Sequence, residues 1–136
     1  MKIKALYAGS FDPFTYGHLN IVVRAAALFD EVYISVSENS SKQSLFTMDQ
    51  RIEMISSVMT QHNIQNISVI KHKGGLTVEL ARSLGVKALV RGIRSVKDME
   101  YEMDIASMNK TQAEDIETIF LMSDEKYRFI SSSLVK

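Results

Sequence analysis

Three short stretches of the sequence combine residue types that suit phosphate chemistry. The first is Gly9-Ser10-Phe11-Asp12-Pro13-Phe14-Thr15-Tyr16-Gly17-His18. Gly9 would let the backbone approach a ligand closely. Gly17 and His18 fall where a helix is about to start, and free N–H groups and the helix dipole favour an anion there. The imidazole of His18 adds a donor on the same side. A turn with a polar helix start accounts for these residues equally well. The second stretch is Arg91-Gly92-Ile93-Arg94. Guanidinium is planar, permanently charged and able to hold two phosphate oxygens at once; two solvated surface arginines are the plain alternative. The third is Ile130-Ser131-Ser132-Ser133, ahead of Leu134-Val135. Helix capping explains one serine, not three, and a serine-rich helix start also makes a phosphate cradle, but taken alone the stretch reads more simply as a helix start.

Other chemistries lack their residues. No GxGxxG follows the first apolar run and no GxxxxGK[ST] occurs, which disfavours a dinucleotide oxidoreductase and a P-loop enzyme. His18, His62 and His72 lack metal-ligand spacing, so no protein metal site is expected, and His62 and His72 read as exposed polar residues. The eight methionines, Met54, Met103 and Met108 among them, read as core. Lys71-His72-Lys73-Gly74-Gly75 could hold a phosphate but reads more simply as a solvated turn.

The three stretches need a scaffold that brings them together. Residues 2–7 alternate basic and apolar side chains and predict a strand running into Ala8-Gly9-Ser10. Residues 17–29 place Ile21, Val22, Ala25, Leu28 and Phe29 at helical spacing. Residues 31–37 alternate Val32, Ile34 and Val36 and predict a second strand, and residues 39–44 predict a polar loop. Thr47 and Gln50 match a capping box that opens a helix with Met48, Ile52, Ile55 and Met59 on one face. A strand at 66–70, a helix at 76–84 stopped by Gly85, a strand at 87–91, a helix at 97–110 and a strand at 117–122 complete the order. This alternation predicts an α/β, Rossmann-like domain: a five-stranded parallel sheet with helices on both faces, spanning 1–136 as one unit. In such sheets ligands bind at the carboxyl ends of the strands.

The totals agree with a single globular domain. The 136 residues are 46 % hydrophobic and 24 % charged. Sixteen basic residues balance sixteen acidic ones, which argues against a dedicated nucleic-acid binder. The absence of cysteine excludes disulfides and thiol chemistry. No apolar run approaches bilayer length and the N-terminus does not read as a signal peptide, so a cytoplasmic protein with no membrane partner is expected.

Taken in order, GSFDPFTYGHLNIV, SKQSLFT, LVRGIRSVKDMEYEMDIASMN and ETIFLMSDEKYRFISSSLVK resemble the phosphopantetheine adenylyltransferases over the whole chain. The first stretch alone is similar to the broad nucleotidyltransferase superfamily; the other three narrow it. The resemblance implies transfer of AMP from ATP to 4'-phosphopantetheine, giving 3'-dephospho-coenzyme A and pyrophosphate. It implies that Ser10 and Phe11 contact ATP, that Ser10 also reaches the acceptor phosphate, and that His18 stabilises the transition state. Lys42 and Arg91 would hold the acceptor phosphate and Thr77 would line the pantetheine site. Gly92, Ile93, Arg94 and Glu102 would bind ATP, and Tyr127, Arg128, Phe129, Ile130, Ser131, Ser132 and Ser133 would close over adenine and phosphates. Mg²⁺ is implied, held largely through the triphosphate, as is a homo-oligomer, a hexamer. Ala8, Gln43 and Met99 depart from the common pattern, and members usually continue past the serine motif into a helical segment, where this chain ends at Lys136. A relative using nicotinate mononucleotide or a glycerol phosphate, and a nucleotide sensor without turnover, are the competing readings. A class I aminoacyl-tRNA synthetase fragment is disfavoured by the neutral charge and small size.

Overall fold

The computed structural model describes residues 2–38 and 45–123. Lys42 and residues 127–133 of the expected site lie outside the described residues. Five strands alternate with four helices: β1 (Lys4–Gly9), α1 (Tyr16–Leu28), β2 (Glu31–Ser37), α2 (Met48–Gln61), β3 (Ile67–His72), α3 (Thr77–Leu84), β4 (Ala88–Ile93), α4 (Val96–Gln112) and β5 (Glu117–Met122). All neighbouring strands are parallel, in the order β3-β2-β1-β4-β5. From β1 the chain steps outward through β2 and β3, then returns to lay β4 against the other side of β1. The direction therefore reverses between β1 and β4, which is where open sheets of this kind form their crevice.

Period-two alternation splits the core between the two faces. Ala5, Tyr7, Val32, Ile34, Val36 and Val90 pack with α1 and α2 on one face. Leu6 and Leu89 pack with Val78 and Ala81 of α3, Val86, Ala113 and Ile116 on the other. The Thr47–Gln50 box caps α2, and Gly85 ends α3 at φ 74°, a left-handed position suited to glycine.

Two expectations need correction. Met103 and Met108 are exposed because α4 buries a single residue, Glu102, and Met54 on α2 is only partly buried. The apolar face of α2 also turns out differently. It buries Arg51, Ile55, Val58 and Met59, while Met48 and Ile52 are half-buried. His62 is exposed as expected, and His72 is half-buried at the end of β3.

Candidate active site

A cleft of about 560 Å³ opens at the carboxyl ends of β1 and β4. Ser10, Phe11, His18, Arg91, Gly92, Arg94 and Glu102 all line it, so residues separated by up to 92 positions meet at one place. Thr77 does not. It is the first residue of α3 and lies outside this lining. Ile93 is also absent from the cleft wall, with its side chain in the core and its carbonyl accepting the Ser123 N–H at 2.9 Å.

The start of α1 is built by reciprocal capping. Thr15 is the N-cap, and its hydroxyl oxygen accepts the His18 N–H at 3.3 Å. His18 returns the bond: its Nδ1 accepts the Thr15 N–H at 2.9 Å. A backbone N–H can only donate, so Nδ1 must carry a lone pair, and the ring proton of the neutral imidazole sits on Nε2. This fixes His18 as a donor through Nε2. Burial, then Arg94, then Arg91, lower its pKa to about 4, so the ring is neutral at physiological pH. Aromatic rings lock its position. Phe14 stacks on it with centroids 5.6 Å apart, and Phe11 meets it edge-on at 5.0 Å. The Thr15-x-x-His18 spacing equals that of Thr47-x-x-Gln50, and was the signal in the sequence that would have revealed this cap.

Phe11 is 3 % exposed, with its ring packed against Tyr7, Phe14 and His18. Its φ of 49° is unusual for a bulky residue. A Cβ on Gly9 would come within 3.1 Å of the Phe11 ring, so Gly9 serves the packing of that ring. Asp12, which the sequence did not single out, accepts the Leu45 and Phe46 N–H groups at 2.9 and 3.0 Å.

On the other wall, β4 runs two residues past the expected end at 91, so that Arg91, Gly92 and Ile93 are its last residues. Arg91 and Glu102 form a bidentate pair, Nε to Oε1 at 2.7 Å and Nη2 to Oε2 at 2.8 Å, and Nη1 donates to the Ala8 carbonyl at 2.9 Å. The hydrogen bond to Glu102 raises the Arg91 pKa further, so its charge is permanent. Arg94 is exposed and bonded to Asp98 at 3.3 Å, a pair worth little in water. Burial pushes the Tyr7 hydroxyl well above its ordinary pKa, so it remains protonated beside Arg91 and Glu102. Tyr7, Asp98, Tyr101 and Ser123 complete walls that the sequence left unassigned. Among the described residues no three His, Cys, Asp or Glu side chains stand together to hold a metal ion.

Comparison with known proteins follows the same lines. The cytidylyltransferase-like family model matches residues 6–136. A phosphopantetheine adenylyltransferase from Desulforudis audaxviator (strain MP104C) is 48 % identical over all 136 residues, which span 81 % of its length. The chain belongs to the phosphopantetheine adenylyltransferase family. More distant structures share the fold. The lipopolysaccharide core biosynthesis protein of Thermoplasma volcanium GSS1 superposes with a TM-score of 0.68 at 17 % identity, covering 92 % of this chain and all of that one. Plasmodium falciparum nicotinic acid mononucleotide adenylyltransferase gives 0.70 at 15 % identity, over 96 % and 80 %. This phosphopantetheine adenylyltransferase family member therefore places a neutral, oriented histidine and a paired arginine on facing walls of one cleft.

Proposed function

We infer that the chain transfers the adenylyl group of ATP to 4'-phosphopantetheine, giving 3'-dephospho-coenzyme A and pyrophosphate. The full-length match to the curated adenylyltransferase carries this reading. The acceptor's phosphate has a second pKa near ~6 and is largely deprotonated at neutral pH, so no general base is needed. One acceptor oxygen forms a bond to the α-phosphorus while the bond from that phosphorus to the bridging oxygen breaks. The electron pair leaves with pyrophosphate. The protein's work is positioning and charge stabilisation.

Each residue has a role in that scheme. The Nε2–H of His18 and the backbone donors at the start of α1 meet charge growing on the α-phosphate. Arg91 and Lys42 hold the acceptor phosphate, with Ser10 between the two ligands and Thr77 toward the pantetheine arm. Glycine at 92, where a Cβ would approach Ile21 to 3.1 Å, keeps β4 close to α1 so that the two walls face each other. Arg94, Glu102 and residues 127–133 complete the nucleotide side. Mg²⁺ enters with the triphosphate as part of the substrate.

The reaction is placed in the cytoplasm, with neither nucleic acid nor membrane as partner. Balanced charge supports the first point; for the second, no helix among the described residues is long and apolar enough to cross a membrane. Assembly into a homohexamer is supported by the exposed Val96, Met99, Met103 and Met108 on α4, none of which lines the cleft. Light scattering giving a clean monomer would remove that part. The reaction itself is tested by pyrophosphate release with ATP, Mg²⁺ and 4'-phosphopantetheine, set beside nicotinate mononucleotide and glycerol phosphate. Release with either of the other acceptors but not with 4'-phosphopantetheine overturns the assignment.

A further inference from the structure

Arg51, on α2, is 2 % exposed and does not line the cleft. Its Nε donates to the Thr47 carbonyl at 3.3 Å, and its Nη1 donates to the carbonyls of Ser10 at 2.6 Å and Ser37 at 3.0 Å. These carbonyls belong to the start of α2, the loop after β1 and the end of β2. Among the described residues no carboxylate pairs with Arg51. A buried cation with no acid beside it is costly even when dipoles replace its water. Arg91, less buried, has Glu102.

The Ser10–Phe11 peptide is trans. In a trans peptide the C=O and N–H point in opposite directions. Arg51 draws the carbonyl inward, so the Phe11 N–H turns outward, to the side where Ser10 and Phe11 line the cleft. No acceptor among the described residues takes that N–H. The left-handed φ of Phe11 persists only if its surroundings over-determine it. The Arg51 bond before Phe11 and the packing of its ring against Tyr7, Phe14 and His18 do so.

We propose that Arg51 is a positioning residue for the phosphates of the nucleotide. It holds the Ser10–Phe11 peptide with its N–H facing the cleft, and its own charge, behind that peptide, finds its counter-ion in the bound anion. The proposal rests on the reading of the cleft as a nucleotide site. It implies a dependence that packing alone does not: the contribution of Arg51 grows with the charge of the phosphate chain.

The test is calorimetric titration of AMP, ADP and ATP into the wild type, Arg51→Met, Arg51→Lys and Ile55→Ala. Arg51→Met should lose roughly tenfold or more in affinity for ATP, and progressively less for ADP and AMP. Arg51→Lys, which keeps the charge, should recover part of the ATP loss. Ile55→Ala removes a buried side chain from the same helix and should lower stability while leaving all three affinities near wild type. Equal losses for AMP, ADP and ATP, or unchanged ATP affinity in a folded Arg51→Met, overturns the proposal. Should Arg51→Met not fold, the wild type decides. The Phe11 amide resonance must move on titration with inorganic tripolyphosphate, and an unmoved resonance at saturation overturns the proposal. Failure of the transfer reading looks different: the wild type would bind ATP with the expected dependence on phosphate number yet release no pyrophosphate with 4'-phosphopantetheine.

Discussion

The two walls of the cleft come from equivalent connections, β1 to α1 and β4 to α4, yet they are held by opposite means. Around β1 the parts that hold the histidine are neutral and tightly packed, an aromatic cluster, a reciprocal cap and the neutral ring itself, while the charges of Asp12 and Arg51 are turned to backbone groups. Around β4 they are charged and loosely covered: Arg91 gripped by Glu102, Arg94 by Asp98, on a helix whose one buried residue is that glutamate. The histidine donor of the first wall is set by its cap before a ligand arrives. The second must share its arginines between its own carboxylates and an incoming phosphate. Preorganised dipoles thus face exchangeable charges, an arrangement that suits a fixed reacting centre beside a variable binding partner.

The largest expected effect breaks the first wall. His18→Ala should lower turnover by about 10²–10³-fold, with ATP affinity nearly intact, because a donor aimed at charge that appears only in transfer adds little to the ground state. Single-turnover kinetics beside ATP titration checks this. A rate loss below about tenfold in a folded variant, only ~1.4 kcal/mol, would contradict the role.

The first wall was also the more legible one. Its motif is continuous in sequence, so the histidine, the glycines and the helix start could be read together. Element order was readable because apolar period two and period 3.6 differ plainly along β2 and α1. The Arg91–Glu102 pair was not legible as a pair, since it joins a strand to the middle of a helix and no periodicity links positions 11 apart. Arg51 was hidden for another reason. A buried arginine on an otherwise apolar face contradicts hydrophobic patterning, and only the three carbonyls around it explain its place. Met103 and Met108 misled because composition cannot say which face of a helix meets the sheet.

A smaller effect tests the second wall. Among the described residues, Glu102→Ala leaves the Arg91 guanidinium with the Ala8 carbonyl alone. Removing one partner of a fully buried pair costs about 3–5 kcal/mol. The Arg91 side chain is 31 % exposed, so about 2 kcal/mol is expected by urea denaturation. Glu102→Gln should cost less, because its carbonyl still accepts one bond. In both variants KM for ATP should rise through Glu102 itself and KM for the acceptor through the loosened Arg91. A rise for ATP alone would show that Glu102 does not act through Arg91.

The glycines compare the walls directly. Gly9→Ala brings a Cβ to 3.1 Å from the rigid Phe11 ring, and overpacking of this kind costs about 1–3 kcal/mol. Gly92→Ala meets the Cγ1 and Cδ1 of Ile21, at 3.1 and 3.4 Å, which a change of rotamer can relieve. Gly9→Ala should therefore lose more stability and more ATP affinity than Gly92→Ala. The reverse order in thermal denaturation would mean that the β1 wall is the more adaptable one.

The smallest effect is one of pH, and it separates the histidine from the substrate. The His18 pKa falls from 6.5 unfolded to about 4 folded. Between those values the unfolded chain binds the extra proton, so stability rises with pH through this window and is lost as pH falls from about 6.5 toward 4. Discounting for the partial exposure of the ring, the loss between pH 7 and pH 5 is about 1 kcal/mol. Protonation would also place a hydrogen on Nδ1 against the Thr15 N–H, which opposes it further. Activity should therefore show no inflection from His18 between pH 5.5 and 8; the inflection near ~6 belongs to the acceptor phosphate. NMR titration of the imidazole, alongside the pH dependence of kcat, distinguishes the two. A ring titrating at its ordinary value in the folded protein would mean that the β1 wall is open to water and that its donor is not held in advance of the substrate.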